Sequence, residues 1–148
     1  MWSEVPRAFR LAILLGVAGV GCGPGPNDWP FGRPRVVLFE FLEQQPQDAL
    51  TLSFAAEFED GDGDLGGGVL ELEVQGRAAE QVPMSSVFSS QAPPLAPNAT
   101  AGRFEFFVQL RSEVASGDEV EIGVVLEDAS GERSNRPKIV LEAVEPGS

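Results

Sequence analysis

Between Val37 and Leu141 the chain holds a series of stretches in which apolar residues fall on every second position, and that period decides which architectures are open to it. Leu50, Leu52, Phe54, Ala56 and Phe58 alternate with Thr51, Ser53, Ala55 and Glu57. Leu70, Leu72 and Val74 alternate with Glu71, Glu73 and Gln75, and Val120, Ile122, Val124 and Leu126 alternate with Glu119, Glu121 and Glu127. Phe104, Phe106, Val108 and Leu110 keep the same spacing. Successive side chains of a strand point to opposite faces, so each stretch reads as a strand with one buried face. Val37, Phe39 and Phe41 open the series, and residues 138–144, with Ile139 and Leu141 inward, close it. The piece 82–88 reads as an edge strand, because Pro83 removes a ladder donor. Turn residues separate the strands at 44–48, 116–118 and 128–131, and a Pro-rich loop runs from 89 to 101. No apolar stripe of helical period lasts three turns. The pattern predicts an all-β, antiparallel sandwich of about seven strands.

The residue inventory narrows the chemistry. The chain has no His and no Tyr, and its one cysteine, Cys22, precedes the strands. The usual general base, the commonest transition-metal ligand, thiolate nucleophiles and thiolate metal sites are therefore missing from positions 35–148. Catalysis would have to rest on carboxylates, Lys138, Ser or Thr, so a non-enzymatic role is expected. With 10 basic against 23 acidic residues the chain lacks the clustered cations that nucleic acid and anionic lipid require. A lone cysteine leaves no disulfide, so the apolar core must hold the domain by itself.

Ahead of the strands, Arg7 and Arg10 precede an apolar run from Leu11 to Val20, the charge order of a secretory signal peptide. The run is shorter than the roughly 20 residues that a membrane-spanning helix needs. Gly19-Val20-Gly21-Cys22 resembles the lipobox of bacterial lipoproteins, in which the cysteine is diacylated and becomes the new N-terminus. The resemblance implies a signal peptide at 1–21, lipidation of Cys22, and membrane attachment through the acyl chains. Residues 1–21 hold Arg7, Arg10 and Glu4, so the mature chain would keep 8 basic and 22 acidic residues, a net charge of −14. Gly23 after the acylated cysteine, by the same resemblance, implies the outer membrane if the source has two membranes. Residues 22–34, dense in Pro and Gly, read as the lipidated Cys and a flexible tether. On that tether Trp29 and Phe31 either dip into the membrane interface or cap the domain.

Two stretches of the expected domain, residues 35–148, stand out: Phe58-Glu59-Asp60-Gly61-Asp62-Gly63-Asp64-Leu65-Gly66, an acidic loop, and Asp128-Ala129-Ser130-Gly131-Glu132-Arg133-Ser134-Asn135, a hairpin before the last strand. With them, the span from about Arg35 to Val144 resembles the immunoglobulin-like and cadherin-like modules of bacterial surface proteins. In the acidic loop Asp60, Asp62 and Asp64 alternate with Gly61 and Gly63, a spacing that lets a turning backbone aim several carboxylates at one centre. Set on the EF-hand pattern, the three aspartates fall on the first, third and fifth ligand positions and Glu71 on the twelfth. The flanks read as strands, so the candidate is a calcium loop between strands. The same Asp-Gly pairs also make a solvated turn without metal, and Gly66-Gly67-Gly68 adds slack to it. Glu71 and Glu73 share one face of their strand, which reads as a solvated outer face, and Arg133, Arg136 and Lys138 read as balancing local acid.

The sequence thus points to a lipid-anchored envelope protein whose sandwich is a non-catalytic binding or structural module, with a protein or glycan partner of unspecified identity. The alternative is an accessory subunit or a small carboxylate-based hydrolase of the cell envelope.

Overall fold

The computed structural model describes residues 12–16, 29–45, 50–110 and 117–144. Eight strands appear: β1 (Ala12–Gly16), β2 (Arg35–Gln44), β3 (Thr51–Glu59), β4 (Val69–Val74), β5 (Arg77–Pro83), β6 (Ala101–Gln109), β7 (Glu119–Glu127) and β8 (Lys138–Val144). Among the described residues a single short helix, α1 (Met84–Ser89), joins β5 to β6, and one 3-10 turn, Leu65–Gly67, precedes β4. Among the described residues no helix is long and apolar enough to cross a membrane.

The strands form two antiparallel sheets, β2-β3-β6 and β1-β8-β7-β4-β5. From Arg35 onward this is the expected all-β sandwich of seven strands. Counted from β2, the first, second and fifth strands share one sheet, and the seventh, sixth, third and fourth share the other. Constant-type immunoglobulin domains place the fourth strand beside the fifth. Here β5 pairs with β4 instead, through Leu70↔Val82 and Leu72↔Glu80, which moves it to the larger sheet.

Period two does the packing. Leu52, Phe54 and Phe58 of β3, Phe104, Phe106 and Val108 of β6, Ile122, Val124 and Leu126 of β7, and Ile139 and Leu141 of β8 all face one buried core. The smaller sheet contributes an aromatic layer: Phe39, Phe54 and Phe106 stack with ring centroids 5.4–6.1 Å apart. Such offset pairs add to the burial of the rings themselves.

Three local expectations are corrected. The first strand shows a register shift between Val36 and Leu38, so Val36, not Val37, faces the core with Phe39. A bulge inserts one residue and flips the face of what precedes it. The edge strand is Arg77–Pro83, not 82–88, and Met84–Ser89 is helical, burying Met84, Val87 and Phe88. Finally, the outer face of β4 is covered rather than solvated: Glu71 pairs with Arg133, and Glu73 lies 3.6 Å from Arg136. Lys138 reaches Glu121 at 3.5 Å, so the basic residues do balance local acid.

The chain enters the sandwich at the end where β3 and β7 finish. Trp29–Pro34 lies against that end: the Trp29 indole N–H donates to the carbonyls of Arg33 and Pro34, and the Arg33 guanidinium sits 4.4 Å above the indole ring. Arg33 Nε donates to the Arg133 carbonyl at 2.6 Å, while Asn135 exchanges two hydrogen bonds with the backbone of Val36. Cys22 and the rest of the proposed tether, residues 23–28, lie outside the described residues, as do residues 1–11 and 17–21 of the proposed signal peptide.

Candidate metal centre

Asp60 is the first residue after β3, and Asp128 the first after β7. Each continues the inward phase of its strand: Phe58 in, Glu59 out, Asp60 in; Leu126 in, Glu127 out, Asp128 in. Their carboxylates are therefore carried into the end of the core, and the residues are 0% and 3% exposed. Asp64 joins them from the turn between β3 and the 3-10 helix. Carboxylate oxygens of Asp60, Asp64 and Asp128 all lie within 4.8 Å of one another.

Backbone bonds fix this arrangement. Gly63, at φ +67°, lets the loop turn back so that its N–H reaches the Asp60 carbonyl at 3.0 Å. The Asp60 N–H donates to Thr100, and the Ala129 N–H donates to the Asp64 carbonyl, tying the two loops together. Gly66 and Gly68 are not slack: a Cβ on Gly66 would meet the Pro97 carbonyl, and one on Gly68 the Glu127 carbonyl. The close passage of backbones excludes any side chain at either position.

Asp60 and Asp128 each divide their carboxylate oxygens. Asp128 Oδ1 accepts from the Ser130 N–H at 3.0 Å, the Ser130 hydroxyl at 2.7 Å and the Glu132 N–H at 2.9 Å. Asp60 Oδ2 accepts the Asp64 N–H at 3.2 Å. The other oxygens, Asp60 Oδ1, Asp64 Oδ1 and Asp128 Oδ2, are buried without a hydrogen-bond partner. A buried carboxylate oxygen left bare costs on the order of 1–3 kcal/mol or more, so three together need a positive partner. Burial, the Asp64 carboxyl and then the Asp128 charge push the Asp60 carboxyl up to about 6. Oxygen-only, anionic donors are of the kind that suits a hard divalent cation, and the bonds on Asp60 Oδ2 and Asp128 Oδ1 leave the other oxygen of each free to face the common centre.

The structure brings together two of the four residues named from the loop pattern and leaves two apart. Asp62 is exposed and turns toward the entering chain: a Cβ built on Gly32 would lie 2.5 Å from Asp62 Oδ2. Glu71 sits inside β4 on the outer face, bound to Arg133. A strand residue seven positions past Asp64 cannot turn back as the helical arm of an EF-hand does. Asp128, read from the sequence only as a turn residue, takes the third place.

A cleft of about 900 Å3 opens at the opposite end of the sandwich between Leu50, Leu72, Val108 and Val120. No protein-family model matches the chain, and no curated protein or solved structure matches it.

Proposed function

We propose that this protein is a lipid-anchored module of the bacterial cell envelope, acylated at Cys22, whose sandwich serves a non-catalytic binding or structural role and is stiffened by calcium. The ion is held by Asp60, Asp64 and Asp128. The observation that carries this reading is the set of three buried, partnerless carboxylate oxygens supplied by two loops. Their burial favours holding an ion over carboxylate-based hydrolysis, since a substrate has no approach to Asp60 or Asp128. The charge order at Arg7 and Arg10, the short apolar run and the Gly19–Cys22 signature support the anchor. Gly23 directly after that cysteine supports placement in the outer membrane if the source has two. Two acyl chains are enough for stable attachment, which leaves the acidic domain free of any need for lipid charge.

Two measurements test it. In a bacterial host the chain should take up labelled fatty acid, and Cys22→Ser should abolish labelling and membrane retention. For the ion, a weak extracellular-type site with a dissociation constant of about 10⁻⁴ to 10⁻³ M should contribute about 1.4–2.7 kcal/mol at roughly 10 mM calcium. That is a rise of several degrees in melting temperature. Sodium chloride at matched ionic strength should not reproduce it, and magnesium, which demands tighter octahedral geometry, should do less. A response that follows ionic strength alone would remove the ion from the proposal.

A further inference from the structure

Phe31 is 85% exposed, the most exposed of the large apolar side chains described. It is nonetheless held in place. Its ring covers Gly61 of the acidic loop so closely that a Cβ there would collide with it. The turn that displays it closes through the Arg33 N–H to the Pro30 carbonyl at 3.2 Å, with Gly32 at φ +88°. Trp29 has gone the other way, half-buried, with its indole N–H satisfied by the chain's own carbonyls. The two aromatic residues of the entering chain thus divide the roles that the sequence left open: Trp29 caps, and Phe31 is presented to solvent on a fixed turn.

We propose that Phe31 is a second contact with the membrane, resting its ring in the interfacial layer of a neutral lipid surface. This rests on the reading of Cys22 as the lipid anchor. Only six residues lie between Cys22 and Trp29, and the seven steps give a contour of at most about 25 Å, so an acylated Cys22 keeps this end of the sandwich close to the bilayer. Anchoring turns a weak apolar contact into an intramolecular one, at a high effective concentration of lipid. Exposed Glu59 and Asp62 flank the turn and the whole domain is acidic, so attraction to anionic headgroups is not the source of binding. An apolar ring on a rigid turn, entering a zwitterionic interface, fits the charge that is present.

The test uses the protein recovered from a bacterial host and reconstituted in phosphatidylcholine vesicles with brominated acyl chains. A parallel sample carries its anchor through the Cys22 thiol, coupled to a maleimide-headgroup lipid. Phe31→Trp is compared with Phe107→Trp, the other exposed phenylalanine, on the outer face of the smaller sheet and 63% exposed. Bromine should quench the Phe31→Trp probe roughly threefold more than the Phe107→Trp probe, with a blue shift of emission. A second reading uses Trp29, whose quenching should fall in Phe31→Ser. Equal quenching of the two probes under chemical coupling, or self-association that buries position 31 without lipid, would overturn the contact. Selective quenching in the coupled sample, with no fatty-acid labelling in the host, would uphold the contact and remove only the natural anchor.

Discussion

At the scale of single residues, the candidate centre turns on Asp128, which the sequence marks only as the first residue of a hairpin turn. If the proposed ion sits there, Asp128→Asn should abolish the calcium-induced rise in melting temperature, because Asp128 Oδ2 is buried with no hydrogen-bond partner in the protein. Asp62→Asn should leave that rise nearly intact, since Asp62 faces Gly32. Equal loss from both substitutions would return the loop to its simpler, sequence-local form. Asp60 supplies a second signature, read in chelator. Its carboxyl is raised to about 6 in the folded state from an ordinary 3.8. The folded form therefore binds the proton more tightly than the unfolded one, and the stability linked to that proton is complete below about pH 4. It is lost as pH rises through 6. Compared with Asp60→Asn, the parent chain should lose stability between pH 4 and pH 7.5, and saturating calcium should restore it. Urea midpoints of the two chains at the two pH values check this.

At the scale of elements, alternation is the property to probe. Phe104 is fully buried against Phe58 and Phe106, while Phe107, three residues on in the same strand, faces out. Phe104→Ala should cost about 3–5 kcal/mol, and Phe107→Ala well under 1 kcal/mol. Comparable losses in urea denaturation would mean that β6 is turned over. The same alternation explains what could be read in advance. Wherever apolar and polar residues alternate over five or more positions, as in β3, β4, β6 and β7, the strand and its buried face were legible. The edge strand β5 was not, because Arg77, Ala78, Ala79, Glu80 and Gln81 are all exposed and carry no pattern. Helix α1 was missed because Met84, Val87 and Phe88 keep helical spacing for less than two turns, too short to outweigh neighbouring strand signals. Two of the three clustered carboxylates, Asp60 and Asp64, were legible from loop spacing. The third needed one more step of period two past the end of β7, together with the pairing Val69↔Glu127 that sets Asp128 beside the start of β4. That pairing is long-range, so no local window contains it. Gly66 and Gly68 looked like slack for the same reason, since the carbonyls they pass belong to Pro97 and Glu127.

At the scale of the whole molecule, the domain begins earlier than its first long strand. Starting the chain at Arg35 removes the Arg33–Arg133 bond and the Trp29 cap, so it should be about 1–2 kcal/mol less stable than a chain starting at Trp29. Both should unfold in one cooperative step followed by circular dichroism. One pairing bears on how such a molecule behaves among its copies. β1 lies within the proposed signal peptide and runs antiparallel along β8, from Ala12↔Val144 to Gly16↔Val140. Its removal at maturation would make β8 the rim of the larger sheet. That rim carries exposed Lys138 and Glu142, charges that discourage a stray strand from another chain from adding to it. Processing would therefore exchange an apolar border, Ala12-Ile13-Leu14-Leu15-Gly16, for a charged one, and lower the tendency of crowded copies on a membrane to aggregate through their sheets.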